Sequence, residues 1–354
     1  MDEAQRVAQR KLILHFDVNE TIMLGDRANG DTLEDSLNKI VCKSAYVRGC
    51  EGGVPTQWYD GSCIDGNMRP PPLLTGCDVP GVVEYYRAGR GAAVYRKEFT
   101  EKGMPGEAYR YEYNAMEAAL RWPSGRRDAP PDRRLCCDKH FVLIPAFFHT
   151  ISTLAREGRS FGVVVRTFGF DAEAVAGAIN AFAEGRYLST EPAVPAVHVG
   201  EGAIWHGSYA RDGAFRLRQG RYDLCESEAV AALEARDRHI SCAVCTDDHA
   251  WWSKHGCEAS AGKPVWLTRD DLACQHIFFD DGIRSSAGES IVAVRVRESA
   301  GQAFRTLSGA EALLEHGVHL VRTPTIEPIL DESWFLEEIA KCEAALGPAT
   351  GTRT

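Results

Sequence analysis

Five aspartates in this sequence lie at or just after the ends of short apolar runs that predict buried strands: Asp17, Asp247, Asp248, Asp280 and Asp281. Burial of a carboxylate costs free energy unless a cation neutralises it. When several carboxylates converge, their mutual repulsion adds to that cost, and a hard divalent cation such as Mg²⁺ relieves it through oxygen ligands. If these strand ends lie close together, they therefore predict a magnesium site.

The strands that carry these aspartates alternate with predicted helices. Pro145 suits the first position of one helix, and Asp171 suits the N-cap of the next. A last helix begins near Asp331. Apolar strands separated by helices are typical of an α/β fold with a parallel sheet covered by helices on both faces, which binds ligands at the carboxyl ends of its strands. The predicted strands cover residues 12–16, 161–168, 240–246, 276–280 and 290–296.

Residues 27–139 interrupt this alternation. The segment is rich in glycine, proline and aromatic residues, and it contains eight of the eleven tyrosines. It predicts a domain inserted between the first two strands, so that the α/β core is assigned to residues 1–26 and 140–354. Within the core, hairpin-like pieces at 203–218 predict a smaller β-rich insertion over residues 186–235.

Composition excludes several classes of protein. Lys and Arg number 40 and Asp and Glu number 50, so the formal net charge of −10 argues against binding to the nucleic-acid backbone. Apolar runs are shorter than the ~18 residues that a membrane-spanning helix needs, and the sequence begins with polar residues instead of a secretory signal. We therefore expect a cytoplasmic protein that binds neither nucleic acid nor membranes and keeps its twelve cysteines reduced.

Three short motifs, taken in order, carry a family resemblance. The first is Asp17-Val18-Asn19-Glu20-Thr21 after an apolar strand, the second is Arg166-Thr167 at the end of a strand, and the third is Asp280-Asp281. Together they resemble the first, second and fourth motifs of the haloacid dehalogenase-like (HAD) superfamily. The resemblance covers roughly residues 1–26 and 140–300, and it implies a HAD-like Rossmannoid core with the insertion at 27–139 acting as a cap.

The resemblance also implies a chemical role for each motif. Asp17 would be the nucleophile and would form an aspartyl-phosphate, which a carboxylate does without a separate base. Mg²⁺ would be held by Asp17, Asp280 and the backbone carbonyl of Asn19, with Asp281 close by or bound through water. The hydroxyl of Thr167 would donate a hydrogen bond to a phosphate oxygen.

The resemblance further implies a lysine that neutralises the phosphate and Asp17. Lys263 and Lys254 are the two lysines between residues 246 and 280. We favour Lys263, since its Ala-Gly-Lys-Pro context predicts a turn that opens a helix, as the family's lysine often does. Lys254 is the alternative. Arg166, Thr167 and Lys263 are then the predicted substrate-binding residues.

Position 19 departs from the family pattern. Typical phosphatases of the superfamily have there an aspartate that acts as general acid and base, a contribution of roughly 10²- to 10⁴-fold in rate. Asn19 has no titratable proton near neutral pH. Asp247 and Asp248 are the alternative acids that the topology offers.

The expected function is therefore a slow Mg²⁺-dependent hydrolase or phosphotransferase acting on a small phosphorylated metabolite, because the cap implies a small substrate. The alternative is a catalytically impaired HAD-like binding or regulatory protein, in which Asn19 marks the loss of the general acid.

Overall fold

A computed structural model provides the structure of the protein. Parts of the predicted core and cap segments, residues 1–9 among them, lie outside the described residues. The structure describes residues 10–25, 30–51, 54–64, 69–77, 79–88, 96–123, 131–200, 203–284 and 290–347.

The described residues form strands and helices in alternation along the chain. The strands are β1 (Lys11–Asp17), β2 (Tyr46–Glu51), β3 (Val54–Trp58), β4 (Val83–Glu84), β5 (Cys136–Cys137), β6 (His140–Phe141), β7 (Phe161–Thr167), β8 (Ile204–Tyr209), β9 (Phe215–Gln219), β10 (Tyr222–Cys225), β11 (Ile240–Thr246), β12 (Lys263–Thr268), β13 (Cys274–Asp280), β14 (Val292–Arg297), β15 (Arg305–Thr306) and β16 (Leu320–Arg322). The helices are α1 (Leu33–Ser44), α2 (Arg110–Leu120), α3 (Pro145–Arg156), α4 (Ala172–Ala183), α5 (Glu226–Glu234), α6 (His249–Lys254), α7 (Gly309–Ala312), α8 (Ile326–Leu330) and α9 (Trp334–Leu346).

Eight strands form one large sheet in the order β10-β9-β8-β11-β7-β1-β13-β16. In this order every neighbouring pair from β8 to β16 is parallel, whereas β9, near one edge, pairs antiparallel with both β8 and β10. The protein is thus a mixed α/β fold with a large, mostly parallel central sheet flanked by helices, an arrangement compatible with a Rossmann-like core. The carboxyl ends of β7, β1 and β13 are neighbours at one edge of this sheet.

Strand β1 shows how the sheet is covered on both faces. Its residues are all buried, and successive side chains of a strand point to opposite faces. Leu12, Leu14 and Phe16 belong to a large apolar cluster with residues of α1, α3, α4 and α9. Ile13 belongs to a second cluster that includes Val230 of α5. This two-sided burial is why most residues of the strand are apolar.

The predicted elements of the core are present, with two differences in pairing. The strand predicted at 290–296 is β14, but it pairs with β12 and β15 in a separate three-stranded sheet. The hairpin-like pieces near 203–218 are β8 and β9, and they extend the central sheet. Strand β16 adds a further parallel strand beside β13 that apolar periodicity did not predict.

Elements α1, β2 to β4 and α2 lie between β1 and β7 in the chain. Several of their buried side chains, including Leu37, Trp58 and Tyr109, belong to the same apolar cluster as Phe16. The described part of the insertion therefore shares a continuous apolar cluster with one face of the central sheet. None of the helices formed by the described residues is long and apolar enough to cross a membrane.

Candidate functional site

The strand ends place three carboxylates together. In the register of the sheet, β1 pairs with β13 on one side and with β7 on the other, and Asp17 lies opposite Arg166. Ligand atoms of Asp17, Asp280 and Asp281 all lie within 4.8 Å of one another. Asp280 is fully buried and Asp17 is 6 % exposed. Two segments about 260 residues apart in sequence thus form one acidic cluster at the carboxyl edge.

Lys263 neutralises part of this cluster. Its ammonium donates to Asp17 Oδ1 and, at 2.8 Å, to Asp280 Oδ2, and its side chain is 2 % exposed. It also lies 5.1 Å from the centre of the Phe168 ring. Lys254, by contrast, is an exposed residue at the end of α6. The structure therefore brings Lys263, and not Lys254, to Asp17.

The local structure at Lys263 differs from the prediction of a turn that opens a helix. Lys263 is the first residue of β12, and its amide donates to Ile291 O at 2.9 Å. A Cβ atom on Gly262 would lie 2.0 Å from that same carbonyl oxygen, so only glycine allows the two segments to approach this closely. Pro264 is tolerated because β12 is an edge strand of its sheet. The helix prediction was wrong because this tertiary pairing outweighed the local turn signal.

Burial and like charge control the ionisation of the cluster. Burial raises the pKa of Asp17 well above its usual range, and the neighbouring Asp280 and Asp281 raise it further against the opposing charge of Lys263. Burial likewise raises the pKa of Asp281 to about 6. Burial opposes the charged form of Lys263, but Asp17 and Asp280 outweigh it and raise the pKa of the ammonium. The negative charge of the ionised cluster is therefore not fully neutralised by Lys263.

The loop after β1 is built on a tight turn. Val18 O accepts hydrogen bonds from the amides of Ile22 and Met23 at 3.0 and 2.9 Å, and Glu20 adopts a left-handed conformation with φ 61°. The turn directs Thr21 back to the site, where its hydroxyl donates to Asp17 Oδ2 at 3.3 Å and accepts from the amide of Asp281 at 3.2 Å. Thr21 therefore connects the two acidic strand ends, a role that the sequence analysis did not assign to it.

Asn19 lies beside a carboxylate that the sequence analysis had assigned to a helix cap. Its Nδ2 donates to Asp171 Oδ2 at 3.2 Å, while its Oδ1 is buried and has no hydrogen-bond partner among the described residues. Asp171 does precede α4, but its side chain makes no capping hydrogen bond. The partner of Asp171 is 152 residues away in sequence, so its residue type alone could not indicate this contact.

Gly169 lies close to these groups and to Thr167. A Cβ atom at position 169 would lie 2.9 Å from Asp171 Oδ2 and 3.5 Å from both Asn19 Nδ2 and Thr167 Oγ1. The backbone amide of Gly169 donates to Thr167 Oγ1 at 2.9 Å. The lack of a side chain at Gly169 therefore allows the loop after β7 to lie close to Asn19 and Asp171.

Arg166 is placed differently from Thr167. Its guanidinium is 1 % exposed, forms a bidentate ion pair with Asp247, and donates to Pro264 O at 2.8 Å. The carboxylate of Asp248 also has two partners, since it accepts hydrogen bonds from the amide of Trp251 in α6 and from the amide of Tyr209 in β8. Arg166, Asp247 and Asp248 therefore have hydrogen-bond partners within the protein, and their roles as substrate ligand and alternative acids stay predictions.

The insertion also contacts the acidic cluster. Lys43 of α1 forms an ion pair with Glu20 and lies 3.4 Å from Asp281 Oδ2. Lys39 pairs with Glu20 at 2.6 Å. Burial opposes ionisation of Glu20, but the two lysines outweigh it and lower the pKa of that carboxyl group. A basic face of α1 therefore lies against the loop that carries Asn19.

The residues present suit a hard divalent cation. The donor set consists of carboxylate oxygens, the ligand type of Mg²⁺, Ca²⁺ and Mn²⁺ and not of zinc thiolate sites. Burial is the main cause of the raised pKa of Asp17, and repulsion from Asp280 and Asp281 adds to it, with Lys263 as the opposing positive charge. Comparison of the chain with protein-family models, curated proteins and solved structures finds no significant match. The assignment of a function therefore depends on the geometry of this site.

Proposed function

We propose that this protein is a HAD-like, Mg²⁺-dependent phosphotransferase or hydrolase that acts on a small phosphorylated metabolite through an aspartyl-phosphate on Asp17. The observation that carries the proposal is the convergence of Asp17, Asp280 and Asp281 with Lys263 at the carboxyl edge of the central sheet. These residues come from three strands in two different sheets, and only the tertiary fold brings them together.

Each side chain of the cluster has a definite chemical task in this proposal. Asp17 attacks phosphorus with a carboxylate oxygen, and the leaving group departs with the bonding electron pair. Lys263 neutralises Asp17 and a phosphoryl oxygen, while the Thr167 hydroxyl donates to another phosphoryl oxygen. Thr21 orients Asp17 through their hydrogen bond. Since all these donors lie on strand ends or on the loop next to them, they are held in place before the substrate binds.

The proposed metal ligands are Asp17, Asp280, the backbone carbonyl of Asn19 and Asp281, directly or through water. The cation would supply charge neutralisation between the carboxylate nucleophile and the phosphoryl group. The proposed cap is the insertion between β1 and β7. Two contacts support it: Lys43 of α1 lies near Asp281, and Leu37 of the same helix packs in the cluster that covers β1.

Asn19 favours a second candidate function, an impaired HAD-like protein that binds a phosphorylated ligand without turnover. An amide cannot protonate the leaving group or activate water. The hydrogen bond from Asn19 to Asp171 gives the amide a structural role instead. The two candidates differ in one measurable property, which is whether Asp17 becomes phosphorylated.

The experiment is intact-mass detection of a phosphoryl adduct after incubation with acetyl phosphate and Mg²⁺. We expect an adduct on the wild-type protein that persists, because Asn19 cannot activate the water that would hydrolyse it. Asp17→Asn removes the nucleophile and should abolish the adduct. Asp270→Asn is the matched control, because Asp270 is an exposed aspartate beyond the opposite end of β12.

The result decides between the two candidates. An adduct in the wild-type protein and in Asp270→Asn, but not in Asp17→Asn, supports the phosphotransferase. An adduct that survives in Asp17→Asn contradicts the assignment of the nucleophile. The lack of an adduct with acetyl phosphate and with a panel of sugar and acid phosphates favours the binding protein.

A further inference from the structure

A small cleft opens beside the acidic cluster, between the insertion and the loops that follow β13 and β16. Its volume is about 40 Å³, which corresponds to roughly three water molecules and so to a single carboxylate or phosphate group. Asp281 lines the cleft and is also a member of the cluster with Asp17. A ligand group in the cleft would therefore lie next to the proposed reaction site.

The cleft has an excess of positive charge. Lys43, Arg284 and Arg322 line it together with two carboxylates, Glu84 and Asp281. The three cations are 23 %, 16 % and 30 % exposed, so their charged groups are partly withdrawn from water. Lys43 is also paired with Glu20 outside the cleft, whereas Arg284 and Arg322 share the single carboxylate of Glu84. The positive charge that lacks a full counter-charge therefore lies on the two arginines.

Glu84 holds the two arginines in place. Its Oε1 lies 3.2 Å from Arg284 Nη1 and 3.7 Å from Arg322 Nη2, so one carboxylate oxygen serves two guanidinium groups. Arg322 is also confined from the side of the insertion, since a Cβ atom at Gly76 would lie 2.9 Å from its Nη1. The guanidinium groups are thus positioned without being fully paired.

Thr323 adds an independent observation. Its side chain lines the cleft and is 2 % exposed, and its hydroxyl has no hydrogen-bond partner among the described residues. A buried hydroxyl without a partner costs free energy. The backbone of Thr323 is fixed to the site, because its amide donates to Asp280 O at 3.1 Å. Thr323 therefore supplies a buried donor without a partner among the described residues that line the cleft.

We infer that this cleft binds a second anionic group of the substrate, so that the substrate class is a small phosphomonoester that also carries a carboxylate or a second phosphate. Arg284 and Arg322 would bind this group through charge-assisted hydrogen bonds, and the Thr323 hydroxyl would donate to it. The inference rests on the proposed function in placing the reacting phosphoryl group at Asp17. The binding experiment itself needs no turnover.

The experiment compares non-hydrolysable probes by isothermal titration calorimetry in the presence of Mg²⁺. Phosphonoacetate is paired with ethylphosphonate, and 3-phosphonopropionate with propylphosphonate, so that the members of each pair differ in the carboxylate. We expect at least one acidic probe to bind about tenfold more tightly than its neutral counterpart, the effect of one or two charge-assisted hydrogen bonds. In Arg322→Gln and Arg284→Gln this ratio should fall to about one.

Two further variants make the outcome decisive. Thr323→Val keeps the shape of the side chain and should lower the ratio about threefold, which tests the cleft even where an arginine variant fails to fold. Arg121→Gln changes an arginine that is paired with Glu117 on α2, and it should leave the ratio unchanged. Equal affinity within both probe pairs, or no binding of any probe, overturns the inference, as does a ratio that persists in folded Arg322→Gln and Thr323→Val proteins.

The binding experiment tests the cleft and the adduct experiment tests the proposed function, so either proposal can be contradicted without the other. If acidic probes bind more tightly than neutral ones in an Arg322-dependent way, but Asp17 forms no adduct, the anion-binding cleft is supported and the phosphotransferase is contradicted. If Asp17 forms an adduct but acidic and neutral probes bind equally, the phosphotransferase is supported and the anion-binding cleft is contradicted.

Discussion

Asn19 donates a hydrogen bond of 3.2 Å to the carboxylate of Asp171. This contact connects the loop after β1 to the start of α4, and it occurs at the position where the HAD-like pattern has an acidic residue. The carboxylate at this part of the site thus belongs to another segment of the chain. Its partner is an amide that can donate but cannot exchange a proton.

Restoring an acid at position 19 should change the lifetime of the phosphorylated protein. We expect Asn19→Asp to form the adduct on Asp17 and to lose it at least about tenfold faster, because a carboxylate can accept a proton from the attacking water. The decay of the adduct by intact mass is the measurement. Asn19→Ala, which introduces no acid, should retain a persistent adduct. Equal decay in Asn19→Asp and Asn19→Ala would contradict this role of position 19.

Lys263 should stabilise the folded protein in addition to its proposed role in catalysis. In Lys263→Met the buried Asp17 and Asp280 lose their shared cation, and removal of one partner of a buried ion pair typically costs about 3–5 kcal/mol. We expect urea unfolding at pH 7 to show this loss and Mg²⁺ to restore part of it. Lys254→Met alters an exposed lysine and should change the free energy of unfolding by less than about 0.5 kcal/mol. A similar loss in both variants would show that Lys263 does not neutralise the cluster.

The pair Arg166–Asp247 should be structural. Arg166→Met leaves Asp247 as an unpaired buried charge and should cost about 3–5 kcal/mol, whereas Arg166→Met/Asp247→Leu should recover most of that loss. The double variant should also form the adduct from acetyl phosphate. If the double variant is folded and forms no adduct, Arg166 contacts the phosphoryl donor, as the sequence predicts.

His319 should contribute a loss of stability as the pH falls from about 6.5 to about 4. Burial lowers the pKa of His319 from 6.5 to about 4, and the ring donates to His276 O at 2.7 Å. A lowered folded-state pKa means that the unfolded chain binds the proton more tightly. The stability present above pH 6.5 is therefore lost as the pH falls through this window, by about 3 kcal/mol.

The measurement is the free energy of unfolding by urea at pH 7 and at pH 4.5. His319→Asn keeps a donor near His276 O and removes the titration, so its stability should fall less over the same interval. Identical pH profiles for the wild-type protein and His319→Asn would exclude this contribution.

The acidic part of the site could be predicted because it depends on local patterns. Strands buried on both faces are continuous apolar runs, and parallel strands present their carboxyl ends at one edge. Asp17 and Asp280 close such runs, so their proximity followed from the fold class. The prediction did not need any knowledge of side-chain contacts.

Other parts of the site depend on contacts between distant segments. Lys263 is flanked by Gly262 and Pro264, which locally indicate a turn, and only the pairing with Ile291 makes it a strand residue. The guanidinium of Arg166 binds Asp247, a residue 81 positions further along the chain, and residue type alone does not indicate that contact.

Strand β12 connects two parts of the molecule through consecutive residues. Lys263 donates to Asp17 and Asp280, while the carbonyl of Pro264 accepts from Arg166. A strand that slips by one residue exchanges its two faces, so a slip of β12 against β14 would withdraw the ammonium and leave a buried pair of negative charges. The charge balance of the site therefore depends on the register of β12 against β14 in the neighbouring sheet. An insertion or deletion far from Asp17, in the loop that leads into β12, would act on the site as strongly as the loss of Lys263 itself.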